Sequence, residues 1–257
     1  FYNGCESEFK EVKMQKTKSR KIWAVIAVSV MLVAFMFLAT ACGGSKTENV
    51  STYQELVDAL AGNCDIVRLE NDINVEGGLV VSRDVVLDMN GKTLSNEKDI
   101  WHEVQSGEEG VSTLSIIAVE AGGDLTVKGN GTIRAKENDC YAFDVSGGGH
   151  LVIEDGTYVG NISVVYVLDG SAEIEGGRYS IQQLNPTKDF QFTLNLQDEC
   201  YENGTGSIVV TGGTFENFDP SKNAAESDDL STNFVKEGYI STLTMEGDLT
   251  TYVVTEA

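Results

Sequence analysis

The chain has 257 residues, 27 Gly against only two Pro, and a formal charge of −22. Residues 1–42 hold six of the 18 Lys and Arg and three of the 40 Asp and Glu, so residues 43–257 keep 12 basic against 37 acidic side chains. That balance excludes nucleic acid and anionic lipid headgroups as partners of the acidic part, and Gly without Pro points to many turns rather than disorder.

Residues 1–13 contain no Met and are expected to lie outside the mature protein. Met14 opens a basic segment with Lys16, Lys18, Arg20 and Lys21, followed by an uncharged apolar run over 22–38. This is the pattern of an export signal over 14–41. The run is at the short limit for a membrane span. It ends in "LATAC", with Cys42 followed by Gly43, Gly44 and Ser45. The phrase resembles the lipobox of bacterial lipoproteins, in which a signal peptidase cuts before Cys and the thiol receives lipid. It departs from that pattern at Ala39, where Leu is usual. The resemblance implies lipid attachment at Cys42, a polar tether over 42–50, and a location on the extracytoplasmic face of the cell membrane. An uncleaved anchor and ordinary secretion remain alternatives. Cys64, Cys140 and Cys200 follow at irregular spacing, without a C-x-x-C pair. They read as small buried hydrophobes, or one pair as a disulfide.

The domain proper is expected over 51–257. Residues 51–63, "STYQELVDALAGN", form the one clear helical phrase, with Leu56 and Leu60 on one face and Ser51 or Thr52 as the cap. Such a helix covers the open end of a stack. Beyond it a phrase repeats. Leu125, Leu151, Ala172 and Ile208 take one position, and Val127, Ile153, Ile174 and Val210 lie two residues on. Gly123, Gly149, Gly170 and Gly206 stand two residues before. The turn pairs are Asn130-Gly131, Asp155-Gly156, Gly176-Gly177 and Gly212-Gly213, each followed two residues later by Ile133, Tyr158, Tyr179 or Phe215. Residues 85–94 form a looser copy. A second strand precedes each of the four copies: 115–119, 141–145, 164–168 and 192–196. In it Ile117, Phe143 and Val164 are expected inward, as are Val119, Val145 and Tyr166. Spacing between copies varies while internal register holds, which is how stacked coils with variable corners behave. D-G and N-G between alternating hydrophobics also suit β-hairpins, but a hairpin does not explain the recurring Gly. Residues 65–81 are expected to start the stack and 233–254 to close it.

The arrangement over 51–257 resembles the right-handed parallel β-helix of the pectate-lyase-like superfamily. It implies an all-β solenoid of about five to six coils with a short N-terminal capping helix. The stretch from Ile208 to Tyr239 is similar to the end segment of surface β-helix proteins of gut bacteria and their phages.

Relatives in that superfamily include lyases and hydrolases of acidic polysaccharides. The lyases use clustered carboxylates for Ca²⁺ with an Arg or Lys base, and the hydrolases use paired carboxylates. Only Arg68, Arg83, Arg134 and Arg178 follow the signal; the hydrolase phrases N-T-D and G-H-G are absent, and R-x-K occurs after the signal only as Arg134-Ala135-Lys136, without the other two. No catalytic residue is assigned and no cofactor is expected; Ca²⁺ has no supporting motif. Asp139, Asp144 and Asp155 share one coil without a D-x-D repeat, and Asp219, Asp228 and Asp229 are weak metal candidates that read equally as a capping turn. His150 lies beside a corner and reads as solvent-exposed. Lys128, Glu154, Glu175 and Thr211 align on an outward face, either a solvated ladder or a shared acid pair. Tyr158, Tyr179 and Phe215 read as a core ladder, or as a sugar-stacking strip if exposed. Trp101, His102, Phe190 and Tyr201 fall in insertions and are candidate ligand-binding loop residues. The expected function is a lipid-anchored, non-catalytic binding or scaffold module for glycans or surface proteins. A polysaccharide lyase or glycoside hydrolase and a structural spacer or adhesin fragment are the alternatives.

Overall fold

A computed structural model describes residues 44–104, 112–183, 192–226 and 230–257. Residues 45–257 form one compact unit of strands in three sheets. Cys42 lies outside the described residues.

The first sheet holds β1 (Thr47–Val50), β2 (Ile66–Leu69), β5 (Asp84–Asp88), β8 (Asp124–Lys128), β11 (Gly149–Ile153), β14 (Gly170–Ile174) and β17 (Gly206–Val210), all parallel. The second holds β4 (Leu79–Val81), β7 (Ser115–Val119), β10 (Tyr141–Val145), β13 (Val165–Val167) and β16 (Leu194–Leu196), also parallel. The third runs in parallel through β3 (Ile73–Asn74), β6 (Thr93–Ser95), β9 (Thr132–Arg134), β12 (Thr157–Gly160), β15 (Arg178–Ile181) and β18 (Gly213–Glu216). Two antiparallel strands, β19 (Tyr239–Glu246) and β20 (Leu249–Glu256), extend this sheet. From β4 to β18 the chain repeatedly visits the sheets in turn, so each circuit adds one strand to each. β11 and β12, on either side of Asp155-Gly156, lie in different sheets. The D-G pair is therefore a corner and not a hairpin turn.

The expected register holds in the first and third sheets. Leu125, Leu151, Ala172 and Ile208 pair in sequence, as do Val127, Ile153, Ile174 and Val210, and all are buried. Each strand alternates one face in and one out, so apolar residues two apart complete a core that no single circuit could bury. Tyr158 stacks on Tyr179 and Tyr179 on Phe215, with ring centroids 5.3 and 4.9 Å apart. All three rings are fully buried, so this ladder is core and not an exposed aromatic strip. The Tyr179 hydroxyl donates to the Gly176 carbonyl at 2.6 Å and that of Tyr158 to the Asp155 carbonyl, so both buried polar tips are satisfied at the corners.

The recurring Gly has a steric cause. A Cβ at Gly149 would lie 2.7 Å from the Val119 carbonyl oxygen of the circuit below. A backbone oxygen at that distance leaves room only for hydrogen. Gly156 answers a different need, because its φ of +114° is open to Gly at little cost.

Helix α1 (Tyr53–Ala61) takes Thr52 as N-cap, the hydroxyl accepting from the Glu55 N–H at 3.2 Å. Leu56, Ala59 and Leu60 enter the core. Arg83 reaches its C-terminal end and donates to the carbonyls of Ala59, Leu60 and Cys64 at 2.6–2.8 Å. A guanidinium there satisfies orphan carbonyls and complements the helix dipole.

Three expectations need correction, and the expected closing segment gains its form. The tether read over 42–50 gives its last four residues to β1, because Val50 is buried and the backbone of 47–50 pairs with β2. A second helix, α2 (Asp198–Asn203), occupies part of an insertion read as loop. Residues 239–256 close the stack as an antiparallel hairpin. Finally, Val165 and Val167, not Val164 and Tyr166, continue the inward positions of Phe143 and Val145. The corner between β13 and β14 is one residue shorter than that between β10 and β11, and this slip turns Tyr166 outward.

Candidate functional site

The second sheet has the least ordinary outer face. Val80, Ala118, Asp144, Tyr166 and Asn195 pair successively across its five strands. Each lies between inward neighbours, so the row points away from the core. At a strand spacing of about 4.8 Å, it runs about 19 Å along the stack. Val80 is 47% exposed, whereas Asp144 is buried. The Tyr141 ring meets Tyr166 edge to face, with centroids 5.4 Å apart.

Carboxylates surround the pair. Asp144 accepts from the Ser115 hydroxyl at 2.6 Å. Burial pushes its carboxyl up to about 6, with Glu120 adding to the shift and the Ser115 bond opposing it. Glu226 accepts from the Leu196 N–H at 2.8 Å through Oε1, while its Oε2 is buried without a hydrogen-bond partner among the described residues. Burial, with Asp198 adding to it and the Leu196 bond opposing it, pushes this carboxyl up to about 7. The strands carrying Asp144 and Leu196 lie two strand spacings apart, about 9.6 Å, with Tyr166 between them. Burial also pushes the Tyr141 hydroxyl up to about 12, helped by Tyr166, Glu103 and Asp144. Tyr166 is raised by burial first, then by Glu226, Asp198, Cys200 and Glu103. Three insertions thus bring acidic groups, Glu103, Asp198 and Glu226, to one tyrosine pair.

Asp139 holds one of these insertions. Its carboxylate accepts from Asn96 Nδ2 at 2.6 Å and from the N–H groups of Ile100 and Trp101 at 3.0 Å. That anchor sets Trp101, 45% exposed, two residues before Glu103. His102 exchanges two backbone hydrogen bonds with Thr113 at 2.7–2.8 Å, closing the base of the insertion. Tyr201 is 47% exposed on α2, next to Cys200. Trp101 and Tyr201 are thus chain neighbours of groups that act on the tyrosine pair, and neither ring packs on another aromatic ring among the described residues. Phe190, Asp228 and Asp229 lie outside the described residues. Asp219 accepts from the Ser221 N–H and hydroxyl at 2.9 and 2.7 Å, a local turn. Among the described residues, no three His, Cys, Asp or Glu side chains converge as metal ligands.

The remaining candidates lie apart. Asp155 accepts from the Asn130 N–H at 2.8 Å at a corner. His150 lies on the first sheet, 3.6 Å from Asp124 and 3.7 Å from Glu173. Cys64, Cys140 and Cys200 are free thiols, and burial pushes that of Cys140 well up, so it behaves as a small hydrophobe. None of the four Arg belongs to a strand of the second sheet. The sequence reading missed Tyr141, Tyr166, Asp144 and Glu226 as a group, because they come from three insertions and circuits and converge only through the stack. Comparison with family models, with curated proteins and with solved structures finds no match.

Proposed function

We propose that the chain is a right-handed parallel β-helix, tethered through lipid on Cys42 to the extracytoplasmic face of a bacterial membrane, and that it binds glycans without catalysis along the outer face of its second sheet. The carrying observation is the edge-to-face Tyr141–Tyr166 pair, with two carboxyls raised by burial on the strands around it, Asp144 within β10 and Glu226 bonded to the Leu196 N–H of β16. Aromatic faces take up the apolar side of a sugar, and carboxyl groups near their pKa accept from or donate to its hydroxyls. The acidic surface favours neutral or amino sugars over uronates.

The test is a glycan array followed by calorimetry on any hit, using the full chain and Tyr166→Ala. The expected result is saturable binding to neutral or amino glycans, weakened about tenfold or more by the substitution. Equal binding by wild type, Tyr166→Ala and Trp101→Ala would remove the site. Release of unsaturated or newly reducing sugar from the same glycans would replace binding with catalysis.

A further inference from the structure

The last sheet ends on an unusual strand. β19 pairs only with β20, so its other side is the open edge of the third sheet. The Ala257 N–H donates to the Gly238 carbonyl at 2.9 Å, and the Asn217 N–H donates to the Thr250 carbonyl at 2.9 Å. In an antiparallel ladder hydrogen-bonded pairs alternate with non-bonded ones. Odd residues of β20 therefore face β19, and even ones face β18. It follows that 240, 242, 244 and 246 bond to β20, whereas Ser241, Leu243 and Met245 turn their N–H and C=O groups to the open side. Natural edges of this kind are guarded by Lys, Pro, bulges or brevity. Here Tyr239–Met245 is seven residues without a charge, a Pro or a Gly. Ile240, Leu243 and Met245 are 49–56% exposed.

Two further features adjoin this edge. A cavity of about 320 Å³ opens beside the start of β19, lined by Ser221, Asn233, Val235, Lys236, Tyr239 and Ser241. The Ser241 hydroxyl is buried without a hydrogen-bond partner among the described residues. Charge then selects the occupant. Glu237 and Asp248 are exposed at the two ends of the strand, and Glu256 pairs opposite Tyr239. Among the described residues that line the cavity Lys236 is the one basic side chain, and Arg178 is engaged by Glu216 and Glu246. A second copy of so acidic a chain is repelled at long range, whereas a basic strand is drawn in.

We infer that the open edge of β19 docks an extended segment of a partner protein, with apolar residues at alternate positions flanked by Lys or Arg. Backbone bonding to Ser241, Leu243 and Met245 supplies affinity, and the cavity admits one side chain near Ser241. This surface is separate from the glycan site and stands without it. The test uses the full chain and a short fluorescent peptide of alternating Val and Thr flanked by lysine pairs. Saturable binding that weakens with salt is expected, together with slower amide exchange at Leu243 and Met245. Leu243→Pro removes an outward N–H while sparing the ladder to β20, and Leu243→Lys puts a like charge on the edge; each is expected to weaken binding about tenfold. Equal binding by both variants with unchanged circular dichroism overturns the inference. So does equal binding of a Glu-flanked peptide, or a dimer in sedimentation that Leu243→Pro dissolves.

Discussion

Asp144 and Glu226 show how much an individual side chain depends on its surroundings. Both carboxyls are raised by burial, from ordinary values of 3.8 and 4.5 to about 6 and about 7. The folded state therefore holds these protons more tightly than the unfolded chain does. Their contribution to stability is full below the unfolded values and is lost as pH rises through the folded ones. Between roughly pH 4 and 7 these two groups should make stability fall. Asp144→Asn is expected to flatten the lower part of that fall and Glu226→Gln the upper part, as read by urea unfolding at a series of pH values. Glu246 works the other way. Its hydrogen bonds from Arg178 hold it below the usual carboxylate range, so its contribution is present at neutral pH and is lost on acidification. Wild-type slopes unchanged in both substituted proteins would show that neither carboxyl senses burial.

Among the elements, legibility followed repetition. Four copies of Gly-x-Leu/Ala/Ile-x-Ile/Val with a turn and an aromatic made the first and third sheets readable, because a register shared by four strands has only one alignment. The second sheet was less secure. In "VVYVL" either Val164 and Tyr166 or Val165 and Val167 satisfy a period of two, and the deciding fact is the length of a corner, which no periodicity reports. Tyr166, and with it the candidate site, was lost to that ambiguity. Helix α2 escaped because its six residues lie inside an insertion and bury none of their side chains. The closing hairpin was also hidden, although Gly247-Asp248 between alternating strands is a two-residue turn with Gly at its first position and a φ of +66°. This hairpin is tied back by one cation. Arg178 Nε lies 2.7 Å from Glu216, and its NH2 lies 2.9 Å from Glu246. Exposed ion pairs contribute little to global stability but hold local geometry. Arg178→Met is therefore expected to speed amide exchange in β19 and β20 while leaving that of β11 and β14 unchanged. Uniform acceleration in all four strands would show that the cation supports the whole stack.

For the whole molecule, stacking turns sequence charge into ladders. Lys128 ends β8, and Glu154, Glu175 and Thr211 each stand one residue beyond β11, β14 and β17, next to the buried row of Val127, Ile153, Ile174 and Val210. Glu154 thus has an opposite charge on one side and a like charge on the other, each one strand spacing away. Parallel in-register stacking brings like side chains together. That stabilises buried Ile and Tyr, but it opposes Glu on Glu at about 4.8 Å between strands. With 37 acidic against 12 basic residues over 43–257, the wider field adds to this strain. Two consequences can be measured together. Glu175→Lys makes the ladder alternate in sign and is expected to stabilise the fold by about 0.2–1 kcal/mol at low ionic strength. Added sodium chloride should raise the melting temperature of the wild type more than that of the variant, because screening relieves a repulsion the variant has already lost. A variant that melts below the wild type at low salt, or a gain that grows as salt is added, would mean that the ladder is not governed by charge.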